Sequence, residues 1–96
     1  MDNIVEEKID VSKEDLKSDL KNLLIVVAIK DIKVGLYGNL IVMQNIDTAV
    51  RYFDVQMNNL KKAGYQSCDF QLFKIGYYNQ NTGDLVPEFE YIKEGE

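Results

Sequence analysis

Phe70-Gln71-Leu72-Phe73-Lys74-Ile75-Gly76-Tyr77-Tyr78, followed by Asn79-Gln80-Asn81-Thr82-Gly83-Asp84 and Leu85-Val86-Pro87-Glu88-Phe89-Glu90-Tyr91-Ile92, is the stretch that decides the fold. Its first part alternates, as an extended chain requires. Phe70, Leu72, Lys74, Gly76 and Tyr78 point one way, and Gln71, Phe73, Ile75 and Tyr77 the other. Its middle gathers Asn, Thr, Gly and Asp, which tolerate left-handed backbone and hydrogen-bond their own turns. Its last part alternates again, Leu85, Pro87, Phe89 and Tyr91 against Val86, Glu88, Glu90 and Ile92. Together these predict a β-hairpin. Pro87 has no amide to donate, which assigns the second strand to a sheet edge.

Upstream lies the clearest helix. Asn45 offers a side-chain oxygen to the free amides of a first turn, and Asp47 adds negative charge where the helix dipole favours it. Ile46, Ala49, Val50, Phe53, Met57 and Leu60 recur at helical spacing along one face, with Arg51, Asp54, Asn58, Lys61 and Lys62 mostly on the other. Lys61-Lys62-Ala63-Gly64 reads as its end, with cations in the last turn and glycine after it.

Before the helix, Leu23 to Ile29 is short, apolar and partly β-branched, the pattern of a central strand buried on both faces. Lys30 to Lys33 turn the chain, Val34 to Tyr37 return as a short strand, Gly38-Asn39 turns again, and Leu40 to Met43 is a second apolar, extended run. The expectation is an α+β fold. It has a small, mainly antiparallel sheet with one main helix on one face, in the order β-β-α-β-β. Residues 23–96 form the single domain. Residues 1–22 are an acidic arm or, from the capping box Ser12-Lys13-Glu14-Asp15 onward, a short helix.

The 96 residues suit one domain with one modest core. Net charge is −5, unevenly spread. Residues 1–22 hold seven acids against four lysines, residues 88–96 four acids against Lys93, and residues 23–87 six bases against five acids. A near-neutral body thus sits between acidic ends, which read either as solvated surface or as a contact for a partner. With Cys68 alone, no disulfide forms within the chain, as in a reducing compartment. No basic-then-apolar leader opens the chain, and no apolar run approaches the roughly 20 residues of a membrane span. The expected setting is the cytoplasm, without a membrane.

Catalytic chemistry finds little to use. There is no histidine, so the usual base near neutral pH and the commonest metal ligand are both missing. Cys68 stands beside Asp69, which disfavours a thiolate. No phosphate-cradling loop, zinc-ligand spacing or dinucleotide fingerprint occurs. Glu88 and Glu90 share one face of an edge strand, where a solvated surface is the ordinary outcome. The expectation is a non-enzyme without cofactor or metal.

The ten aromatics offer more. Tyrosine and phenylalanine on a sheet face, interleaved with cations, can stack unpaired bases at about 1–3 kcal/mol each. The plainer reading is that most of them form the core. If a binding face exists, Lys30, Lys33, Tyr37, Arg51, Lys74, Tyr77 and Tyr78 are the candidates to line it, lysines and arginine for phosphates and tyrosines for bases.

Three stretches taken together resemble the small nonstructural protein of gokushoviruses, the microvirus branch of single-stranded DNA phages. They are Val27-Ala28-Ile29-Lys30-Asp31 running on to Leu36-Tyr37-Gly38-Asn39; Ile46-Asp47-Thr48-Ala49-Val50-Arg51-Tyr52-Phe53; and Asp69 through Gly83. The resemblance spans residues 23–92. It implies a non-catalytic DNA-binding role, assisting genome replication or the switch to single-stranded genome synthesis in the host cell cytoplasm. By residue it assigns Arg51 to the family's helix arginine, and Gly76, Tyr78, Thr82 and Gly83 to its strand-turn signature. The acidic residues 1–22 extend beyond the family's usual start, and the negative net charge is unlike a phosphate binder. The expected partners are single-stranded DNA, a second copy forming a homodimer because the apolar runs exceed what one helix covers, and a host or phage replication protein. The rival reading makes that replication or host protein the main partner, contacted through the acidic ends.

Overall fold

In the computed structural model, residues 22–96 are described; of the expected acidic arm, all but Asn22 lies outside them. The elements are β1 (Leu23–Asp31), β2 (Leu36–Tyr37), β3 (Ile41–Met43), α1 (Ile46–Lys62), one 3-10 turn (Ser67–Asp69), β4 (Phe70–Asn79) and β5 (Leu85–Glu94). The fold is α+β: a five-stranded, wholly antiparallel sheet with one main helix. β1 is its hub. It pairs with β2 and β3 along one side and β4 along the other, and β5 pairs with β4 at the edge, as Pro87 predicts.

Two turns of the same design shape the sheet. At Asp31, the side-chain oxygen accepts from the amides of Lys33 (3.0 Å) and Val34 (3.3 Å), while Gly35 at φ 78° donates to the Asp31 carbonyl. At Asn79, the side-chain oxygen accepts from Asn81 (2.9 Å) and Thr82 (3.3 Å), while Gly83 at φ 80° donates to the Asn79 carbonyl. Each is an Asx turn closed four residues on by a glycine in a left-handed conformation. Val34 therefore belongs to the first turn, and the short returning strand is only Leu36–Tyr37.

α1 begins and ends on the residues its pattern predicts. Asn45 Oδ1 accepts from the Thr48 amide at 2.8 Å. At the other end, Gly64 donates to the Lys61 carbonyl and Tyr65 to that of Leu60, the paired bonds of a glycine-capped helix end. The helix buries Ala49, Phe53 and Met57 against Ile25, Val27 and Leu72 of the sheet. Each of these side chains larger than Ala49 contributes about 1.5–3 kcal/mol by leaving water. Ile46, though on the predicted stripe, is exposed.

The strict alternation expected of β4 breaks. Val26 pairs with Gly76 and Val27 with Lys74, so Ile75 is an extra residue in a β-bulge. The bulge moves Gly76 and Tyr78 to the face opposite the helix and returns Tyr77 to the helix side with Lys74. Lys74 and Tyr78 therefore do not share a face. β5 carries irregularities of its own, between Pro87 and Glu90 and at Ile92.

Candidate nucleic-acid interface

Val26, Ala28 and Phe73 are buried without joining the helix-side cluster. They belong to the other face of the sheet, over which no described helix lies. Four aromatic rings cover its middle. Phe73 stacks on Phe89 at 4.9 Å between centroids and an 18° tilt. Tyr37 meets Phe73 edge-on at 5.5 Å and Phe89 at 6.0 Å, and Tyr91 meets Phe73 edge-on at 5.6 Å. Such offset and edge-to-face pairs are the favoured arrangements of aromatic quadrupoles.

Three of these rings stay open to solvent. Phe89 is 60% exposed, Tyr91 49% and Tyr37 43%, whereas Phe73 at 9% forms the floor beneath them. Lys30, the register partner of Tyr37, holds its Nζ 5.2 Å from that ring's centroid, a cation–π distance. Leu40, Val42 and Leu85 are also exposed. Beside the rings, Val26, Leu40, Ile75, Gly76, Tyr77, Leu85, Val86 and Pro87 line a shallow, nearly all-apolar hollow of about 130 Å³.

The seven residues singled out from sequence do not all come to this face. Lys30 and Tyr37 lie on it, and the register of Tyr78 with Leu24 and Leu85 places it there, half-buried, at one end. Lys33 sits in the adjoining turn, 3.7 Å from the Asp69 carboxylate, with its side chain 72% exposed. Arg51 is exposed on α1, on the far side of the sheet. Lys74 and Tyr77 turn to the helix side and engage each other: Lys74 Nζ donates to the Tyr77 hydroxyl at 3.1 Å and lies 4.7 Å from its ring centroid. Lys74 faces the helix by alternation from Leu72, and the bulge at Ile75 brings Tyr77 to the same side by rotating the strand between Lys74 and Gly76.

Lys74 is 4% exposed and serves two carboxylates, Glu90 at 3.0 Å and Glu88 at 3.4 Å. Its pKa is raised far above the ordinary lysine value, first by the hydrogen bond to Tyr77, with Glu90 adding to it and burial pulling the other way. It is a structural cation, already matched. Phe73, Phe89 and Tyr91, the rings that complete the face, went unselected by sequence reasoning. One signal pointed to two of them: an edge strand alternating Phe89 and Tyr91 with Glu88 and Glu90 has an aromatic side and an acidic side. Among the described residues no three acidic or cysteine side chains gather as a metal ion would need, and no helix is long and apolar enough to cross a membrane.

The fold and this surface define a class: a small α+β domain with one helix-covered and one ring-covered sheet face. The model of the Phage ORF5 protein family matches residues 24–95, and the chain belongs to that family. No curated protein and no solved structure was found to match it.

Proposed function

We propose that this phage protein is a non-catalytic binder of single-stranded DNA that stacks unpaired bases on Tyr37, Phe89 and Tyr91. The observation that carries the reading is the ring cluster itself, three exposed aromatics over a buried fourth on a sheet face without a described cover. Apolar residues alone would serve any greasy partner. Rings fixed in place by one another, with a lysine against Tyr37, suit bases on their open faces and a phosphate beside them. Membership of a phage family supports the reading, as does the resemblance to the gokushovirus nonstructural protein and its role in replication. The cation supply is small, Lys30 on the face and Lys33 in the next turn, so stacking and not phosphate neutralisation supplies most of the affinity.

Fluorescence anisotropy with a labelled oligothymidylate of about ten nucleotides, a length in the range one small module covers, tests this. Tyr37→Ala and Phe89→Ala each weaken binding by about 5- to 150-fold, as about 1–3 kcal/mol of stacking requires. Arg51→Ala, on the far side, leaves it unchanged. Wild-type protein that binds no oligonucleotide at low salt, or ring variants that bind as wild type, would remove the proposal.

A further inference from the structure

We infer that Lys74 is the positioning residue of the ring face, pinning β5 from beneath so that Phe89 is held against Phe73. The inference rests on the base-stacking reading of that face for its functional consequence, and on geometry alone for its structural one.

Phe89 sits where β5 is least regular. Between the register pairs Gly76–Pro87 and Lys74–Glu90, β5 spends one residue more than β4, and Phe89 lies within that excess. A bulge of this kind loosens ladder hydrogen bonding and re-aims side chains. β5 is also an edge strand, with no neighbour on its outer side among the described residues. Alternation from Pro87 through Phe89 to Tyr91 aims this ring at the open face, and the flanking carboxylates hold it there. Glu88 and Glu90 both reach through to the helix side and meet the buried Lys74 ammonium, at 3.4 Å and 3.0 Å. Two tethers on either side of Phe89, both directed to the far face, leave the ring between them directed to the near one.

The ammonium has a third partner. The Tyr77 hydroxyl accepts from it, and it is almost wholly screened from solvent, while the two carboxylates stay more than half exposed and water screens their side of each pair. Lys74 thus acts on nucleic-acid binding without touching nucleic acid. The same contacts keep both acids of this segment off the face that would meet phosphates.

This leads to an outcome that charge counting does not give. Glu88→Ala combined with Glu90→Ala removes two negative charges, and by long-range electrostatics alone would tighten DNA binding. The tether requires the opposite: about fivefold weaker binding to the labelled oligothymidylate, the lower end of one lost stacking contact. Lys74→Gln gives a similar loss and Lys74→Arg keeps binding near wild type. Nuclear Overhauser contacts between the Phe73 and Phe89 rings, measured in the free protein, fall away in the double-alanine variant. Glu88→Ala and Glu90→Ala taken singly each leave Lys74 one carboxylate, give a smaller loss of the same kind, and answer even if the other variants fail to fold. Binding equal to or tighter than wild type in the double-alanine protein, or ring contacts unchanged there, overturns the inference. If wild-type protein binds no oligonucleotide, the stacking reading falls, and the ring contacts alone decide the role of Lys74.

Discussion

Gly76 is the residue on which the two halves of the hairpin depend. A Cβ placed there would run into the Val86 carbonyl oxygen and come within 3.1 Å of the Pro87 Cα, both backbone atoms of the paired strand. Backbone cannot swing aside as a flexible side chain does. Gly76→Ala is therefore expected to cost about 1–3 kcal/mol, or more, through forced strand separation, measurable as a lowered denaturant midpoint. Lys74 carries a pH signature. Its folded pKa is raised, so its stabilising contribution is complete below the unfolded lysine value of about 10.4 and is lost as pH climbs beyond that towards the folded value. The stability advantage of wild type over Lys74→Met is thus level through neutral pH and narrows above about pH 10.4, as denaturation across that range reads. A gap that stays constant would contradict the assignment. At this scale the sequence was least legible. The types and spacing of Lys74, Tyr77 and Tyr78 are plain in the chain, but one extra residue in a bulge reversed which of them share a face. Period-two reasoning has no means of locating such a residue, because a bulge is set by pairing across strands.

At the scale of elements, much more was readable. α1 starts on Asn45 and closes on Gly64 because both ends have only local partners, and local partners are written in adjacent residues. Asn45→Ala is expected to cost about 1 kcal/mol by leaving the Thr48 amide without its acceptor. Phe53, wholly buried where the helix meets β1 and β4, is expected to cost about 3–5 kcal/mol on replacement by alanine. Both follow from thermal or chemical unfolding monitored by circular dichroism. The hairpin was equally legible, since Asn79 and Gly83 mark its turn and Pro87 its edge. The turn at Lys30 to Lys33 was legible too, but its extent through Val34 to Gly35 was not, although Asp31 and Gly35 repeat the acceptor-to-glycine spacing. Ile32, Lys33 and Val34 are not turn formers, so composition hides where the turn ends and the strand begins.

For the whole molecule, the sequence suggests cations and rings gathering on one surface, and the structure separates the two. Rings collect on the uncovered face; the cations disperse to the face, a turn, the far side of the helix and the interior. A long-range sheet decides this, because β1 brings Tyr37 on one side next to Phe73 on the other, and β4 brings in Phe89 and Tyr91. Those pairings join residues far apart in the chain, and no local pattern encodes them. Binding carried by rings instead of cations should respond weakly to salt. Single-stranded DNA loses about 0.7 of log affinity per tenfold rise in salt for each phosphate contact. With Lys30 alone, or Lys30 and Lys33, the slope is expected between about −0.7 and −1.4. A slope several times steeper would mean that a basic surface elsewhere does the binding.

The most direct measurement is a nuclear magnetic resonance titration of the protein with oligothymidylate, following ring and amide signals together. The account predicts that the Tyr37, Phe89 and Tyr91 rings and the amides of β2 and β5 shift, while the exposed face of α1 stays still. Shifts centred on Arg51, Lys61 and Lys62, with the ring signals unmoved, would contradict it.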